Sequence, residues 1–422
     1  MRFPPTDFEN FSKRKDHPPG PSPISLIAGR LLEGTFLSEK TLIELAQQYG
    51  NVYSLWGGNY YIIVFSGYQT VKEALTKHAE AFADRPVTPF ILTVCKQRGI
   101  ACSNGHVWLQ QRRLSVVTMR KLGLGKKGLE TQIQAEVERF LEDFGNKKGQ
   151  PFAPSVYITH FVSNVICAVV FGHRFSTEDK EFLELLESMD IISKFLTSFS
   201  HISKDEPNST YDEDNLVHCI GDIFIAGTDS TSSVLQWALL LMATHPDIQD
   251  KVYKEIETVL DPSHSICYGD RKNLPYTNAV IHEIIRSKYV TFFGLPRKCV
   301  KDVYLNGFLI PKGAMIFPDL RSVLLDPEQW ETPEKFNPNH FLDKEGHFVT
   351  KEAFMPFGAG ARSCVGELFA RIEIFIMFTS LLRAFRLQPP EGVEKLSEEP
   401  VLGITLHPFP FKICAVPRSR TP

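Results

Sequence analysis

The segment from Phe357 to Gly366 has the residue types of a site that holds a metal through a thiolate. It reads Phe-Gly-Ala-Gly-Ala-Arg-Ser-Cys-Val-Gly, and its glycines let the backbone turn tightly and approach something flat or bulky. Cys364 lies at the predicted start of a helix, where backbone N–H groups and the helix dipole stabilise a thiolate. Arg362 supplies a cation that can grip a carboxylate. These residues predict a haem iron held by Cys364, with Arg362 near a propionate; the alternative is a buried, inert cysteine.

Polar side chains interrupt a long apolar helix that the sequence predicts from Leu216 to Thr244. The interruption reads Ala226-Gly227-Thr228-Asp229-Ser230-Thr231. Polar groups inside an apolar helix are costly unless they have partners or a function. One interpretation is that the acid and the hydroxyls act at a site beside the helix. The alternative is that the hydroxyls only bond back to carbonyl groups of their own helix.

Two further pairs of residues have helical spacing. Trp108 and Arg112 are four residues apart, and Glu283 and Arg286 are three apart, so each pair shares a helix face. The alternative for the first pair is a surface arginine beside a core tryptophan. The alternative for the second is an ordinary surface ion pair, which is the more common arrangement for an isolated motif.

Composition narrows the function classes. The chain has 422 residues with 43% hydrophobic and 23% charged, which excludes a disordered or collagen-like chain. The formal net charge is -3, whereas a nucleic-acid-binding protein is usually strongly basic, so no nucleic-acid partner is expected. Eight cysteines without a Cys-x-x-Cys pair argue against a disulfide framework and a zinc ribbon, and favour a reducing, cytosol-facing environment.

Hydrophobic periodicity predicts a mostly helical fold with small β-hairpins. Helices are expected at residues 108–121, 129–144, 157–171, 216–244, 276–288 and 365–385. Strands are expected at 51–56 and 60–65, and Asn306-Gly307 predicts a hairpin turn between 303–305 and 308–310. The polar, acidic stretch 197–215 is expected to be a loop.

The N-terminal part carries no membrane-spanning or secretory pattern. No stretch reaches about 18 to 20 consecutive apolar residues, and residues 1–16 are polar. The stiff run Pro18-Pro19-Gly20-Pro21 favours a disordered leader slightly over a hinge whose Lys13-Arg14-Lys15 cluster contacts anionic lipid. The domain plan is a polar leader and proline-rich hinge at 1–21, then a single domain at 22–422 with a shortened polar loop at 196–215.

The motifs occur in an order that resembles the cytochrome P-450 superfamily. The segment 357–366 resembles its haem-binding signature, Phe-x-x-Gly-x-x-x-Cys-x-Gly. Glu283 and Arg286 are similar to its Glu-x-x-Arg helix, and Trp108 with Arg112 to its Trp-x-x-x-Arg motif. The segment 336–341 is similar to the partner of the Glu-x-x-Arg helix, although His340 stands where many members carry Arg, which puts a fully charged three-way cluster in doubt.

Longer phrases resemble the vertebrate microsomal family 2, nearest its J-type members. They lie at residues 84–89, 275–283 and 353–357. The resemblance implies the mostly α, triangular haem-thiolate fold and the insertion of one oxygen atom into a fatty acid or a lipophilic foreign compound. It also implies haem b (heme b, iron protoporphyrin IX) as cofactor and O2 as co-substrate.

The resemblance also implies roles for individual residues. Cys364 ligates the iron, and Ala226 and Phe357 lie beside the haem. Asp229 and Ser230, with Thr231 in reserve, organise water for proton delivery, and Ser230 stands where most members have Thr. The propionates are held by Trp108, Arg112, Arg297 and Arg362. Glu283, Arg286 and His340 are structural. The candidates for the substrate-pocket wall, for which core packing is nearly as plausible, are Phe224, Phe292, Phe293 and Ile404.

The implied partners are an NADPH-dependent flavoprotein reductase, a cytochrome b-type donor and a membrane surface. The implied location is the cytosolic face of the endoplasmic reticulum membrane, with a peripheral or cytosolic location as the alternative because the chain has no transmembrane segment. A reductase is acidic, so a basic patch would suit it. Its candidates, which a solvated charged face explains equally well, are Arg113, Arg120, Lys126 and Lys127.

Two departures from the family pattern carry expectations of their own. The chain lacks the usual apolar anchor, and it lacks a pair of lid helices between the positions of Phe199 and His201. Without a lid, Phe224 and Phe292 are expected to face water, and the protein is expected to be poorly stable and weakly active. The second functional hypothesis is therefore a non-catalytic or weakly active haem-binding isoform.

Overall fold

The computed structural model of the chain describes residues 15–21, 39–57, 60–121, 127–196, 213–291, 294–403 and 405–418. Helices dominate these ranges. In chain order they are α1 (Glu39–Tyr49), α2 (Tyr68–Thr76), α3 (Pro89–Thr93), α4 (Gly105–Lys121), α5 (Lys127–Gly145), α6 (Ser155–Val170), α7 (Lys180–Leu196), α8 (Glu213–Thr244), α9 (Pro246–Val259), α10 (Pro275–Ser287), α11 (Leu320–Leu324) and α12 (Glu367–Ala384). One-turn 3₁₀ helices lie at Tyr268–Lys272, Pro338–Phe341 and Gly360–Arg362.

The strands form one four-stranded sheet and three two-stranded ribbons. They are β1 (Val52–Gly57), β2 (Tyr60–Phe65), β3 (Arg297–Lys298), β4 (Val303–Leu305), β5 (Phe308–Ile310), β6 (Met315–Pro318), β7 (Phe385–Gln388), β8 (Pro400–Leu402), β9 (Leu406–Pro408) and β10 (Cys414–Pro417). The larger sheet has the order β1-β2-β6-β3, with β2 and β6 parallel and its other neighbours antiparallel. The ribbons pair β4 with β5, β7 with β10, and β8 with β9.

The mostly helical fold with small sheets is confirmed, and the helices expected from periodicity are present with ends shifted by a few residues. The turn between β4 and β5 is also confirmed, because Asn306 and Gly307 both have positive φ, as a tight hairpin requires. Helices α2, α3, α7, α9 and α11 were not expected. The signal for α9 is nevertheless present, since Ile248, Val252 and Ile256 recur at every fourth position and are buried.

Helix α8 is the central element of the main core. Every residue from Thr231 to Ala243 is buried, and the helix packs on α6, α12 and α10. A second core lies between the four-stranded sheet and α2. Among the described helices, none is both long enough and apolar enough to cross a bilayer.

The proline run is docked on the sheet, so the expectation of a disordered leader is wrong for residues 15–21. The backbone N–H of Ser54 donates to the Pro19 carbonyl at 2.8 Å, and its hydroxyl donates to the Pro18 carbonyl at 3.0 Å. A Cβ on Gly20 would overlap the Ser54 carbonyl, so only glycine fits this contact. Leu309 N–H donates to the Asp16 carbonyl at 2.6 Å. Lys13 and Arg14 lie outside the described residues.

The expectation that Phe224 faces water is also wrong. Its side chain is 2% exposed and belongs to the main apolar core together with residues of α5, α6 and α12. Because α8 lies in the middle of the helical layer, a large apolar residue on it is covered by neighbouring helices without any lid. Phe292, Phe293 and Ile404 lie outside the described residues, as does most of the predicted loop 196–215, although Glu213 to Asn215 already belong to α8.

Candidate functional site

The glycine loop from Phe357 to Gly366 is closed by its own backbone. Cys364 N–H donates to the Phe357 carbonyl at 2.9 Å, and Gly358 N–H donates to the Met355 carbonyl at 3.0 Å. Gly358 and Gly360 both have φ near 69°, the left-handed region that favours glycine. At Gly360 a Cβ would also overlap the carbonyl at the end of α2, so the loop can lie against α2 only with glycine here.

Cys364 sits two residues before Gly366, the N-cap of α12, and therefore just ahead of the helix. Burial raises the pKa of its thiol, while the backbone N–H groups of Gly366 and Glu367 and the charge of Arg112 lower it by smaller amounts. The helix start thus acts in the expected direction but does not by itself make a thiolate. Solvent still reaches the Cys364 side chain, and a cation bound at the sulfur would favour the thiolate.

Arg362 connects the glycine loop to the segment before α4. Its guanidinium donates to the Ala83 carbonyl at 2.7 Å, the Ile100 carbonyl at 3.1 Å and the Ser103 carbonyl at 2.7 Å. It also stacks over the ring of Trp108 at 3.9 Å. Most of its donor hydrogens are therefore used by the protein, and its expected contact with a propionate stays a prediction.

Two buried donors beside this loop have no acceptor among the residues that the structure describes. They are Trp108 Nε1 and Arg297 Nη1. Arg297 projects from β3, and its other terminal nitrogen donates to the Ala359 carbonyl at 3.3 Å. Burial lowers the pKa of Arg297 to about 9, and the charges of Arg85 and Arg112 contribute. A buried unpaired donor costs about 1–3 kcal/mol, so this position is suited to an anionic acceptor.

Arg112 lies next to the cysteine, and Arg85 completes a cluster of four guanidinium groups. Arg112 donates to the Ser363 carbonyl at 2.8 Å. Arg85, which the sequence analysis did not single out, donates to the carbonyls of Ala101 and Leu295 at 2.9 and 2.8 Å. Burial lowers the pKa of Arg85 to about 10. The sequence feature that could have identified Arg85 is its position before a proline in the segment 84–89, which resembles the family.

Asp222 on α8 is an acid facing this cluster, and it too was missed. It accepts hydrogen bonds from Ile100 N–H at 2.6 Å and Ala101 N–H at 2.9 Å. Burial raises its pKa to about 6, against the smaller lowering effects of those two N–H groups and of Arg85. A Cβ on Gly99 would overlap its carboxylate. The four arginines therefore retain an excess of positive charge at the edge of the glycine loop.

The small residues Ala226 and Gly227 of α8 lie in different surroundings. A Cβ on Gly227 would come within 2.7 Å of Ile166 Cδ1, so this glycine allows α8 and α6 to pack closely. Ala226 is exposed, and Ser230, one turn later, donates its hydroxyl to the Ala226 carbonyl at 2.7 Å. The alternative in which a hydroxyl bonds back to its helix therefore describes Ser230 as it stands. Its oxygen keeps acceptor capacity on the side of Ala226.

Asp229 is held by two residues of the C-terminal ribbon that sequence reasoning missed. Its carboxylate accepts from the Thr405 hydroxyl at 2.8 Å and lies 3.1 Å from His407 Nε2. No local pattern relates Asp229 to His407, because 178 positions separate them. Thr231 is buried, and the buried Thr228 hydroxyl has no partner in the described part of the chain.

Glu283, Arg286 and His340 come together as a buried cluster, as the motifs predict. Arg286 donates through Nε and Nη2 to the two carboxylate oxygens of Glu283, each at 2.7 Å. Asn337 N–H donates to the same carboxylate at 2.8 Å, and His340 Nδ1 lies 3.2 Å from it. Because Thr332 N–H donates to His340 Nε2 at 3.2 Å, the imidazole is neutral, with its hydrogen on Nδ1. The cluster is therefore not fully charged.

The remaining candidates are less fully described. Phe357 is half-buried, with the Arg371 guanidinium over its ring at 4.9 Å. Of the proposed basic patch, only the exposed Arg113 has a described side chain. The run from Gly123 to Gly128 has the Gly-x-Gly-x-x-Gly spacing of dinucleotide-binding loops. It follows helix α4 rather than a strand, so it lacks the strand–turn–helix context of that fingerprint.

Comparisons with known proteins bear on this site. A family described as Cytochrome P450 matches residues 18–205 and 195–415. Cytochrome P450 2K4 of Oncorhynchus mykiss is 37% identical over 95% of this chain and 92% of that protein. Cytochrome P450 2J2 of Homo sapiens is 36% identical over 98% of this chain and 93% of its own length. Cytochrome P450 2J5 of Mus musculus is 36% identical over 96% and 92%, respectively.

The family match is divided into two ranges within the chain, which overlap at residues 195–205. The alignment with 2K4 has 463 positions, more than the 422 residues of this chain. That relative therefore contains residues that have no counterpart here. The division of the family match falls where the sequence analysis expected a shortened segment.

Proposed function

Since the chain belongs to the cytochrome P450 family, whose members are haem-dependent monooxygenases, we propose that it inserts one oxygen atom of O2 into a lipophilic small molecule. The proposed substrate class is a fatty acid or a foreign compound. The two electrons come from NADPH through a flavoprotein reductase, with a cytochrome b-type protein as a second donor. The proposed location is the cytosolic face of the endoplasmic reticulum membrane.

The observation that supports haem binding is the pair of buried, unpaired donors beside a solvent-accessible thiol. Trp108 Nε1 and Arg297 Nη1 lack acceptors among the described residues, and both lie next to the glycine loop that carries Cys364. We assign the iron to Cys364 and the propionates to Trp108 and Arg297, with Arg112 and Arg362 completing the cationic side. When bound, haem supplies the activation of molecular oxygen.

Residues of this chain would then bind water and deliver protons. Ser230 sits on the side of α8 where Ala226 is exposed, and its oxygen can accept a hydrogen bond from water while its hydroxyl donates to the Ala226 carbonyl. Asp229, Thr405 and His407 form a connected set of polar groups one residue away. We assign proton delivery to Ser230 with Asp229; Thr231 is buried, so it is the weaker candidate.

An absorption spectrum of the reduced, carbon-monoxide-bound protein tests this proposal. A thiolate-ligated haem is expected to give a strongly red-shifted Soret band, and Cys364→Ala is expected to abolish it. Cys299→Ala is the matched control, because Cys299 is a buried cysteine directly after β3 whose backbone bonds to Gly313 and Ala314, and its loss should leave the band unchanged. Absence of the band in the unaltered chain, or its survival in Cys364→Ala, would contradict the assignment.

A further inference from the structure

Three residues of types that bind zinc in other proteins lie close together in the connection between α9 and α10, outside the glycine loop. They are His264, Cys267 and Asp270, spaced His-x-x-Cys-x-x-Asp. One ligand atom from each lies within 4.8 Å of the other two. His264 Nε2 is 2.9 Å from Asp270 Oδ2, and Asp270 N–H donates to the Cys267 side chain.

The backbone of this connection is held by two helices. Arg383 of α12 donates to the His264 carbonyl at 2.7 Å. From α5, Gln134 donates to the Ile266 carbonyl at 2.7 Å, and Glu130 accepts from Tyr268 N–H at 3.0 Å. Neighbouring helices thus fix this backbone, and hydrogen bonds between Cys267 and Asp270 close the turn, so the three side chains converge before any ion binds, which favours a preorganised site.

The donor set matches the chemistry of Zn²⁺. Imidazole nitrogen, thiolate sulfur and carboxylate oxygen are its usual protein ligands, and four-coordinate tetrahedral geometry is typical. Nitrogen and oxygen ligands about 2.0–2.2 Å from one zinc ion lie roughly 3.4 Å apart in a tetrahedron, so His264 and Asp270 need to separate by only about half an ångström. The His264 side chain is 38% exposed, which leaves room for water as the fourth ligand.

We propose that His264, Cys267 and Asp270 bind one Zn²⁺ ion, with water completing the coordination. On binding, Zn²⁺ exchanges bound water for the Cys267 sulfur, a His264 ring nitrogen and an Asp270 carboxylate oxygen; the Cys267 thiol gives its proton to solvent, and the contact between His264 and Asp270 opens. The ion would fasten the 3₁₀ turn Tyr268–Lys272, whose Tyr268 ring packs edge-on against Phe375 of α12 at 5.9 Å. Because α12 directly follows the glycine loop, the bound ion would stabilise the packing of this turn against the helix that follows that loop.

Zinc binding can be measured without any enzyme assay. The full chain, loaded with haem and freed of divalent ions by a chelator, is dialysed against buffered Zn²⁺, and bound zinc is counted by elemental analysis. We expect Cys267→Ser to remove one bound zinc per chain and His264→Gln to weaken the same site at least about tenfold. Serine is a good helix N-cap, so Cys267→Ser should preserve the turn. The expected rise in unfolding temperature with zinc should disappear in both variants.

Two controls separate this site from other thiols. Cys414→Ser changes a cysteine on β10 outside the cluster and should leave zinc binding unchanged. Repeating the series in a Cys364→Ala background removes the thiolate of the glycine loop, so the result does not depend on whether haem is bound. Equal zinc content in the unaltered chain and in Cys267→Ser would overturn the proposal, as would a zinc-free unaltered chain.

Discussion

Among the described residues around the glycine loop, some buried polar groups have hydrogen-bond partners and others do not. Trp108 allows a test of a group that has none. Its ring is covered by the Arg362 guanidinium, but its Nε1 has no acceptor among the described residues. Trp108→Phe keeps most of the stacking surface and removes the unpaired donor. Removing an unsatisfied buried donor stabilises the fold by on the order of 1 kcal/mol, which offsets the cost of the small void left by the smaller ring.

We therefore expect Trp108→Phe to leave the haem-free chain as stable as before, or slightly more stable, while weakening haem binding. Urea unfolding of the haem-free protein and a haem titration give the two measurements. Arg113→Ala, an exposed change on the same helix, serves as control and should alter neither quantity. A loss of stability in haem-free Trp108→Phe would show that Nε1 already has a protein partner.

A second prediction concerns the hydroxyl group of Ser230. Its hydroxyl now bonds to the Ala226 carbonyl, so Ser230→Ala removes the polar group on the exposed side of α8 without changing the core. With proton delivery impaired, we expect more hydrogen peroxide released per NADPH consumed and less product. Thr231→Ala alone should have a smaller effect, because Thr231 is buried. Unchanged coupling in Ser230→Ala and in the double variant would remove Ser230 from the proton path.

At the scale of elements, α12 contains a buried acid, Glu373, that has no partner among the residues that the structure describes. Both carboxylate oxygens of Glu373 lack hydrogen bonds within the described residues, and burial raises its pKa well above 4.5. Because the folded state holds this proton more tightly than the unfolded state, stability falls as the pH rises from about the unfolded pKa through the raised folded pKa. Glu373 therefore destabilises the fold at neutral pH but not in acid.

Glu373→Gln has nearly the same shape and no charge. We expect it to raise the unfolding temperature at pH 7, with a gain of about 1–3 kcal/mol, and the gain should shrink toward zero as the pH falls toward 4.5. Thermal unfolding at a series of pH values measures this. Glu367→Gln, at the half-exposed start of the same helix, is the control. A pH-independent effect of Glu373→Gln would mean that the carboxyl is charged and paired.

The elements that sequence predicted well are those whose signal is local. Helix α8 is an apolar run, the hairpin at Asn306-Gly307 is a two-residue turn, and Glu283 with Arg286 is a helical pair. The contacts that sequence missed join distant positions. Asp229 and His407 meet only because β9 packs on α8, and Arg85 reaches Leu295 across 210 positions. Tertiary packing, which no window of sequence contains, selects these partners.

Two other predictions were wrong because they treated a covered segment as exposed or disordered. Phe224 was expected to face water because the family's lid was thought to be missing, yet it lies in the main core. The proline run was expected to be disordered from its composition, yet residues 16–20 are bonded to β1 and β5. In both cases a neighbouring element, which composition does not reveal, supplies the cover. Composition predicts what a segment does alone, not what packs against it.

For the molecule as a whole, exposed apolar side chains lie on the two helices that flank residues 197–212 in sequence. Leu216 and Val217, at the start of α8, are 57% and 60% exposed, and Leu183 on α7 is also exposed. Apolar surface left uncovered costs about 25 cal/mol for each Å², and a contiguous patch of several hundred Å² marks an interface or an aggregation hazard. Cytochrome P450 2K4 contains residues that have no counterpart here, and a segment inserted between α7 and α8 is expected to cover these side chains.

Inserting a two-helix segment of the family type after Phe199 is therefore expected to raise the unfolding temperature, reduce binding of a dye that reports exposed apolar surface, and increase turnover. The double change Leu216→Lys with Val217→Glu is the matched variant, because it removes the apolar patch without adding a lid. It should lower dye binding without the gain in turnover, because it adds no segment over the site. If the chain as it stands already excludes the dye and turns over as fast as the lengthened form, the missing segment is not needed as a lid.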